Sequence, residues 1–503
     1  MTDVRNRTGF AQRMHSVPAG IWLVVLCYVL LRVVAWVLSL PTIVGPDSHS
    51  YLPGAGLGVP ENWYVGFEKV SFTGDGVIRP WTIALPYALL LTDYFRSFFQ
   101  VLVSISAFLL LAFTMVRLTR GAVLGRVLAV VVLAFSCTTL VASWDLLINR
   151  ESLAISLTVT LIALALLSIV YRSYGFLLLV IVNSLLLLVT RPTLAPLVVL
   201  LLLVLLVDRT LRSIAARDSI KEVNGATLLR GAFAALLAVL VVSYPAIYSM
   251  RMDASWTTWY DQTMSETQFG YVVSDYNPRA EAIKTELMKT APQCLIDELP
   301  VYTGVYVGAP WGFAAHIRDT CPEFATWYQA NWPSWYYSYI AQHPDYVAKV
   351  SVSGMKLALR PWDATASFSA LPVPVRDAFF PVTTGDGIAI YDPMVLYWSL
   401  VVSVLVLALV RWRRRGWVYL RAHGVAVSLI GAVVVGSALA IIVNLLLIPS
   451  YPLETNRVNV STALAIRLTG ILLAVFLVGT LAQAWRRKWS SGATRKHPQQ
   501  LDS

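Results

Sequence analysis

Charge is scarce in this sequence for a chain of its length. Only 13% of its 503 residues are charged, whereas 57% are hydrophobic. A soluble protein of this size needs far more charge on its surface, so that class is excluded. Signatures of common sites are also missing. The histidines and cysteines show no metal-ligand spacing, and there is neither a phosphate-binding glycine loop nor a Gly-x-Ser-x-Gly motif.

Long apolar runs dominate the sequence instead. Runs of about 18 residues or more recur, which is the length of helix that crosses roughly 30 Å of hydrocarbon. Each run must be helical, because its backbone groups have to pair within their own segment. We therefore predict an all-α polytopic membrane protein with about ten transmembrane helices. The predicted spans are residues 18–40, 97–116, 122–143, 151–170, 174–190, 194–207, 231–249, 393–410, 424–448 and 463–485.

The distribution of basic residues predicts the orientation. The net charge is +11, and arginine and lysine concentrate in alternate segments between the spans. The positive-inside rule then gives cytoplasmic N- and C-termini in a cell inner membrane, with the long segments 41–96 and 250–392 on the outer face. Because the basic residues lie in short loops, not on one face of a soluble domain, they argue against a nucleic-acid partner.

The spans divide the chain into four parts. Residues 1–249 form an N-terminal transmembrane module, and residues 250–392 an extracytoplasmic domain of mixed secondary structure between spans seven and eight. Residues 393–488 supply the C-terminal transmembrane helices, and residues 489–503 a disordered cytoplasmic tail. The extracytoplasmic domain contains two cysteines. We predict that Cys294 and Cys321 form a disulfide, because the outer face is oxidising.

The first outer loop carries two candidate functional residues. Asp47 follows the first span closely, where a carboxylate can act as a base on an incoming hydroxyl. A helix N-cap explains Asp47 equally well. Arg79 precedes a Pro-Trp pair and an amphipathic stretch, 82–94, that is predicted to lie in the membrane interface. Arg79 is placed to pair with a lipid phosphate or simply with headgroups.

Further charges stand at the outer ends of the spans. Asp145, Arg150 and Glu151 lie between the third and fourth spans, and we favour a functional role because charges there are expensive to bury. The alternative is that they are solvated caps, with Glu151 stabilising a helix N-terminus. Arg191 and Arg457 have the planar guanidinium that matches phosphate, although a lone arginine is more often a snorkelling anchor.

The outer domain is rich in aromatic residues, including a cluster at 332–337 that contains Trp332, Trp335, Tyr336 and Tyr337. Aromatic rings stack on sugars, pack in protein cores and form belts at membrane interfaces. We favour the belt for this cluster.

In their order along the chain, these residues resemble the polytopic GT-C glycosyltransferases that use polyprenyl-phosphate sugars, of the protein mannosyltransferase and aminoarabinose transferase type. Asp47 matches the acid of the first outer loop, and the segment that begins at Arg79 is similar to the element that opens the interfacial helix. Glu151 looks like the acid of an acid-x-Leu-x-x-x-Leu pattern, and Arg191 stands where a basic residue contacts the lipid phosphate. The resemblance covers roughly the first 210 residues.

The resemblance implies an inverting membrane glycosyltransferase. It would move a hexosyl or pentosyl group from a polyprenyl-phosphate donor to a hydroxyl of a glycan, lipid or protein acceptor on the outer face. Asp47 would be the general base, Arg191 with Arg79 or Arg457 would hold the departing phosphate, and Glu151 would orient the acceptor or the base. No cofactor is certain; a divalent cation stays open, since the family's paired acids are missing around Asp47.

Three other functions compete with this one: a transporter or flippase, a polymerase or ligase for a lipid-linked glycan, and a non-catalytic membrane scaffold. A flippase needs polar groups deep in the bundle. The clearest such residues in the sequence are Asn183 and Asn444, and Arg467 lies near a span end.

Overall fold

The computed structural model describes thirteen α-helices, which we number in chain order, and no β-strand within the residues that it describes. These residues are 19–38, 82, 86–87, 89–90, 92–119, 123–171, 173–215, 269–270, 272–273, 277, 279–299, 317, 320–359, 417–447 and 459–493. The helices are α1 Ala19–Leu38, α2 Asp93–Leu118, α3 Val123–Ser136, α4 Thr139–Leu146, α5 Arg150–Tyr171, α6 Tyr174–Thr190, α7 Ala195–Ala215, α8 Ala280–Leu287, α9 Gln293–Glu298, α10 Phe324–Gln342, α11 Pro344–Ala358, α12 Trp417–Leu447 and α13 Val460–Ala493.

Several of these helices are long and apolar enough to cross a membrane. Four meet this requirement alone: Gly20–Leu38, Asp93–Leu118, Arg150–Tyr171 and Leu429–Leu446. A fifth span results if the bent pair α3 and α4 is counted as one. Shorter apolar segments in α6, α7 and α13 coincide with three more predicted spans. The described part is therefore that of a helical, multi-pass membrane protein. Its orientation and its membrane stay predictions, and the predicted spans 231–249 and 393–410 lie outside the described residues.

The membrane helices share one apolar core. Helix α5 packs between α2 and α6, and α12 packs along α7. Buried leucine, valine and phenylalanine side chains from α2, α3, α5, α7 and α13 form the core between them. The backbones of α12 and α7 approach closely at Gly436, since a Cβ atom there would lie 2.7 Å from the Cα of Leu197 in α7. A small residue at this point allows the two helices to pack tightly.

The structure differs from the prediction in one membrane span and agrees with it at the break between two others. The predicted span 122–143 corresponds to two helices, because α3 ends at Ser136 and α4 begins at Thr139 after a bend of 50°. The break between the predicted spans 174–190 and 194–207 is a turn. Helix α6 ends at Thr190, Arg191 leaves the helical conformation at φ −148° and ψ 83°, and a 3₁₀ turn, Pro192–Leu194, leads into α7. Proline cannot donate the hydrogen bond that would continue α6.

The described helices of segment 250–392 have an aromatic core. Trp332 and Tyr336 of α10 are buried, and their rings stack with centroids 5.3 Å apart. The edge of Phe269 meets Trp332 at 4.8 Å. Our prediction of a membrane belt is therefore wrong for Trp332 and Tyr336, whereas Tyr337 is exposed. Residues four apart share one face of a helix, so this face of α10 is buried.

This aromatic core continues into the membrane helices. Ile441 and Leu445 of α12 and Ile466 of α13 belong to the same buried cluster, and α11 packs against α12. The hydroxyl of Tyr336 donates a hydrogen bond to the carbonyl of Leu446 at 2.9 Å. The described helices of segment 250–392 are thus joined to the ends of the C-terminal transmembrane helices.

The predicted disulfide is confirmed. Cys294 of α9 and Cys321, which stands just before α10, are bonded, with their Cα atoms 5.3 Å apart. The bond ties α9 to the start of the aromatic helix. At the other end of the chain, α13 extends to Ala493 and so occupies the first residues of the predicted tail.

Candidate functional site

Two of the predicted site residues meet in the structure. Glu151 lies in the first turn of α5, and Arg191 lies at the break between α6 and α7. The side chains of these residues form an ion pair, with 3.1 Å between Arg191 Nη1 and Glu151 Oε1. The remaining predicted residues, Asp47, Arg79 and Arg457, lie outside the described residues.

Both charges of this pair are buried. The side chain of Glu151 is 1% exposed and that of Arg191 is 3% exposed. The solvated-cap interpretation is therefore wrong for Glu151, and the snorkelling interpretation is wrong for Arg191. The end of α6 brings Arg191 to Glu151. The chain must leave α6 at Pro192, which holds Arg191 beside the beginning of α5, and α5 packs along α6.

A second arginine approaches the same carboxylate oxygen. The Nε of Arg150 lies 3.7 Å from Glu151 Oε1, and the side chain of Arg150 is 26% exposed. The start of α5 is fixed locally, because Asn149 Oδ1 accepts a hydrogen bond from the backbone N–H of Arg150 at 2.7 Å. The other carboxylate oxygen, Oε2 of Glu151, is buried with no hydrogen-bond partner among the described residues. Burying an acceptor without a donor costs free energy, so this oxygen is suited to accept a hydrogen bond from a hydroxyl group or water.

A second buried ion pair lies beside the first. Arg32 of α1 pairs with Asp145 at the end of α4, and both side chains are almost fully buried. Arg32 also donates hydrogen bonds to the carbonyl of Ser136 and to Ser104 Oγ. Ser152 Oγ donates to Asp145 Oδ1 at 2.5 Å. This network joins five helices. It also shows that Asp145 is not a solvated cap.

Sequence reasoning missed Arg32 altogether. Its signal is a single arginine within the apolar helix α1, and an ionisable residue inside a span is a candidate functional residue by default. Pairing it with Asp145 requires the three-dimensional structure, since the two residues are 113 positions apart.

The side chains of Tyr87 and Gln100 fix the link between α4 and α5 by hydrogen bonds. The hydroxyl of Tyr87 donates to Gln100 Oε1 at 2.7 Å and contacts the carbonyl of Asn149 at 3.2 Å. Gln100 Nε2 donates to the carbonyl of Leu147 at 2.9 Å. Tyr87 was predicted to lie on an interfacial helix, but its side chain is fully buried in the bundle. Its hydroxyl therefore fixes the segment that carries Glu151.

The polar residues expected deep in the bundle have structural partners. Asn183 Nδ2 donates to the carbonyl of Leu157 at 2.9 Å, and Asn444 Nδ2 donates to Asn459 Oδ1 at 2.8 Å. Arg467 of α13 donates to the carbonyl of Leu359, just after α11. Among the described residues, no group of three His, Cys, Asp or Glu side chains gathers to hold a metal ion.

Comparisons with known proteins assign neither a family nor a function. The chain matches no protein-family model, no curated protein and no solved structure. The chemical capacity of the site therefore rests on its geometry. A buried arginine beside a partly satisfied carboxylate, at one end of a helical bundle, is suited to an anionic ligand that also carries hydroxyl groups.

Proposed function

We propose that this chain is an inverting membrane glycosyltransferase. It would take a sugar from a polyprenyl-phosphate donor and transfer it to a hydroxyl of a cell-envelope acceptor on the outer face of the membrane. The observation that carries the proposal is the buried contact between Glu151 and Arg191. Both residues are predicted from the sequence to belong to one site. They lie 40 positions apart in the sequence, and their side chains form an ion pair.

The position of this pair suits a lipid substrate. Arg191 sits where α6 stops and the chain turns at Pro192, so it lies at the end of an apolar helix, not at its middle. A polyprenyl phosphate would place its charged group at such a depth and keep its hydrocarbon chain in the membrane. A guanidinium is always charged and offers several donors in one plane, which suits a phosphate leaving group.

The chemistry needs one base and one cationic site. Asp47 would accept the proton of the acceptor hydroxyl while the hydroxyl oxygen attacks the anomeric carbon from the face opposite the phosphate. The bond to the phosphate oxygen breaks with its electron pair, and Arg191, with Arg79 or Arg457, would stabilise the charge that develops there. A lipid phosphate leaves readily as an anion, so no general acid is required. Glu151 would orient the acceptor or the base.

The test is a transfer assay with purified protein, a set of polyprenyl-phosphate sugars and envelope acceptors. Arg191→Ala should reduce transfer by about 100-fold, the scale of losing one electrostatic contact to a developing charge. Arg191→Lys should recover only part of this, because the two-pronged contact is lost. Arg117→Ala is the matched control, since Arg117 lies at the far end of α2 with its guanidinium over the ring of Phe113 at 4.8 Å. Equal activity of Arg191→Ala and Arg117→Ala would remove the main support for the proposal.

One observation favours a second candidate function, a transporter or flippase for a lipid-linked glycan. The pair of Arg32 and Asp145 places two charges inside the helical bundle, where transporters keep ion and substrate pathways. Reconstituted liposomes with a fluorescent lipid-linked glycan separate the two functions. Translocation without sugar transfer, lost in Asp145→Asn, would favour the transporter.

A further inference from the structure

We infer that Glu151 is a resident counter-ion, which the phosphate of the ligand displaces from a binding site formed by Arg150 and Arg191. This inference rests on the proposed function in one respect: it takes the ligand to be the phosphate of a polyprenyl lipid. It adds Arg150 as a second binding residue. It also gives Glu151 a different role in the empty protein, where its carboxylate occupies the place of the phosphate.

The carboxylate fits the two arginines poorly. Both guanidinium groups approach the same oxygen, Glu151 Oε1, with Arg191 at 3.1 Å and Arg150 at 3.7 Å. The second oxygen, Oε2, is buried and has no hydrogen-bond partner among the described residues. A well-formed arginine–carboxylate pair uses both oxygens in parallel hydrogen bonds. One of the two oxygens of this buried carboxylate therefore accepts no hydrogen bond among the described residues.

A phosphate would satisfy the same groups better. Its oxygens point in several directions, so one can face Arg191 while another faces Arg150. The beginning of α5 favours any anion at this position, because the N-terminus of a helix of 22 residues carries partial positive charge.

The exposure of the two arginines gives the order of events. Arg150 is 26% exposed, whereas Arg191 is 3% exposed. An incoming phosphate meets Arg150 first and reaches Arg191 only when the carboxylate of Glu151 moves away. Displaced from Arg191, the carboxylate can accept hydrogen bonds from hydroxyl groups with both oxygens. The exchange therefore couples phosphate binding to the release of an acid that can orient a sugar or an acceptor.

Binding measurements on the full chain in lipid nanodiscs test this inference. The probe is a polyprenyl monophosphate without a sugar, and inorganic phosphate and phosphatidylglycerol are tested separately. Glu151→Gln removes the competing charge, so we expect the polyprenyl phosphate to bind about 10-fold more tightly, a change of about 1.4 kcal/mol. Arg150→Gln and Arg191→Gln should each weaken binding about 10-fold or more. Glu281→Gln is the matched control, because the side chain of Glu281 is 84% exposed and belongs to a separate ion pair, with Lys284 at 2.8 Å, so this change should not affect binding.

A second measurement uses the wild-type protein and does not depend on a variant that folds. A hydrophobic carbodiimide modifies carboxyl groups in apolar surroundings, and peptide mass mapping locates the modification. Glu151 should be protected in the empty protein, because Arg191 and Arg150 hold it. Its modification should increase when polyprenyl phosphate binds.

The possible outcomes separate the inference from the proposed function. Weaker or unchanged binding in Glu151→Gln, or phosphate that protects Glu151 further, would overturn the counter-ion role, while sugar transfer by the wild type would still support the glycosyltransferase. Tighter binding of polyprenyl phosphate in Glu151→Gln would support the exchange even if no sugar were transferred. If inorganic phosphate alone showed the effect and the lipid did not, the site would be one for soluble phosphate, and its assignment to a lipid ligand would be wrong.

Discussion

Removing one partner of the buried ion pair between Arg32 and Asp145 should destabilise the bundle far more than replacing both partners. Asp145→Asn leaves the guanidinium of Arg32 buried without its counter-charge, and Arg32→Met does the same to the carboxylate of Asp145. Charges in such surroundings cannot be solvated by water, and breaking a buried pair costs about 3–5 kcal/mol. The double variant Arg32→Met/Asp145→Leu removes both charges together.

The structure sets the size of the difference between these variants. In the wild type, Ser104, Ser152 and the carbonyl of Ser136 add hydrogen bonds to the pair, so each charge that remains alone keeps only part of its partners. Replacing a buried pair with apolar residues of similar volume is often neutral or stabilising by about 1–4 kcal/mol. The double variant should therefore be more stable than either single variant, with a coupling free energy of about 3 kcal/mol or more.

Unfolding of the full chain in detergent micelles, followed by circular dichroism, measures these free energies. Asp93→Asn is the matched control. Asp93 pairs with Arg96 at 2.6 Å but is 38% exposed, so its loss should cost less than about 1 kcal/mol. The reasoning fails if Asp145→Asn costs no more than Asp93→Asn, or if the effects of Arg32→Met and Asp145→Leu simply add.

Three further perturbations test other parts of the molecule. Replacing Cys294 and Cys321 with serine opens a loop with a sequence separation of 27 and should cost about 3–4 kcal/mol in unfolding of the oxidised full chain, whereas added reductant should then have no further effect. Burial raises the pKa of the Tyr346 phenol. The contribution of the neutral phenol to the stability of the folded chain is therefore complete below about pH 10 and is lost as the pH rises through the folded-state pKa. Tyr346→Phe should therefore flatten the alkaline fall in stability, and an unchanged pH profile would contradict this. Asp47→Asn should insert normally but reduce transfer by about 100-fold, and wild-type turnover would exclude Asp47 as the base.

Local signals in the sequence located the helix ends that carry Glu151 and Arg191. The proline at 192 ends a helix wherever it occurs, so the turn at Arg191 could be located from the sequence. The charged residues that end at Glu151 marked the beginning of the next span, because charges are rare inside a span. Placing these two ends side by side needed only the expectation that consecutive spans pack in antiparallel hairpins. The structure brings Glu151 and Arg191 into contact, and their roles as orienting and phosphate-binding residues stay predictions.

Other features depend on contacts between distant segments and were missed for that reason. A single arginine barely changes the hydropathy of α1, so nothing local indicates that Arg32 faces the bundle interior and meets a carboxylate. The aromatic cluster was misjudged for a related reason. The sequence of α10 has aromatic residues on much of its circumference, and only packing against Phe269 and α12 shows that Trp332 lies inside a core. A belt and a core use the same residue types.

The first turn of α5 connects the two buried ion pairs. Glu151 pairs with Arg191, which follows α6, and its neighbour Ser152 donates a hydrogen bond to Asp145, which pairs with Arg32 of α1. Consecutive residues of a helix point about 100° apart, so one turn can bind partners on two sides. Helix α1 leads directly into the loop that carries Asp47, and α6 leads into the turn after Arg191. In the proposed exchange, a displacement of Glu151 would move the neighbouring Ser152 and, through Asp145 and Arg32, act on α1, which precedes the proposed base in the sequence.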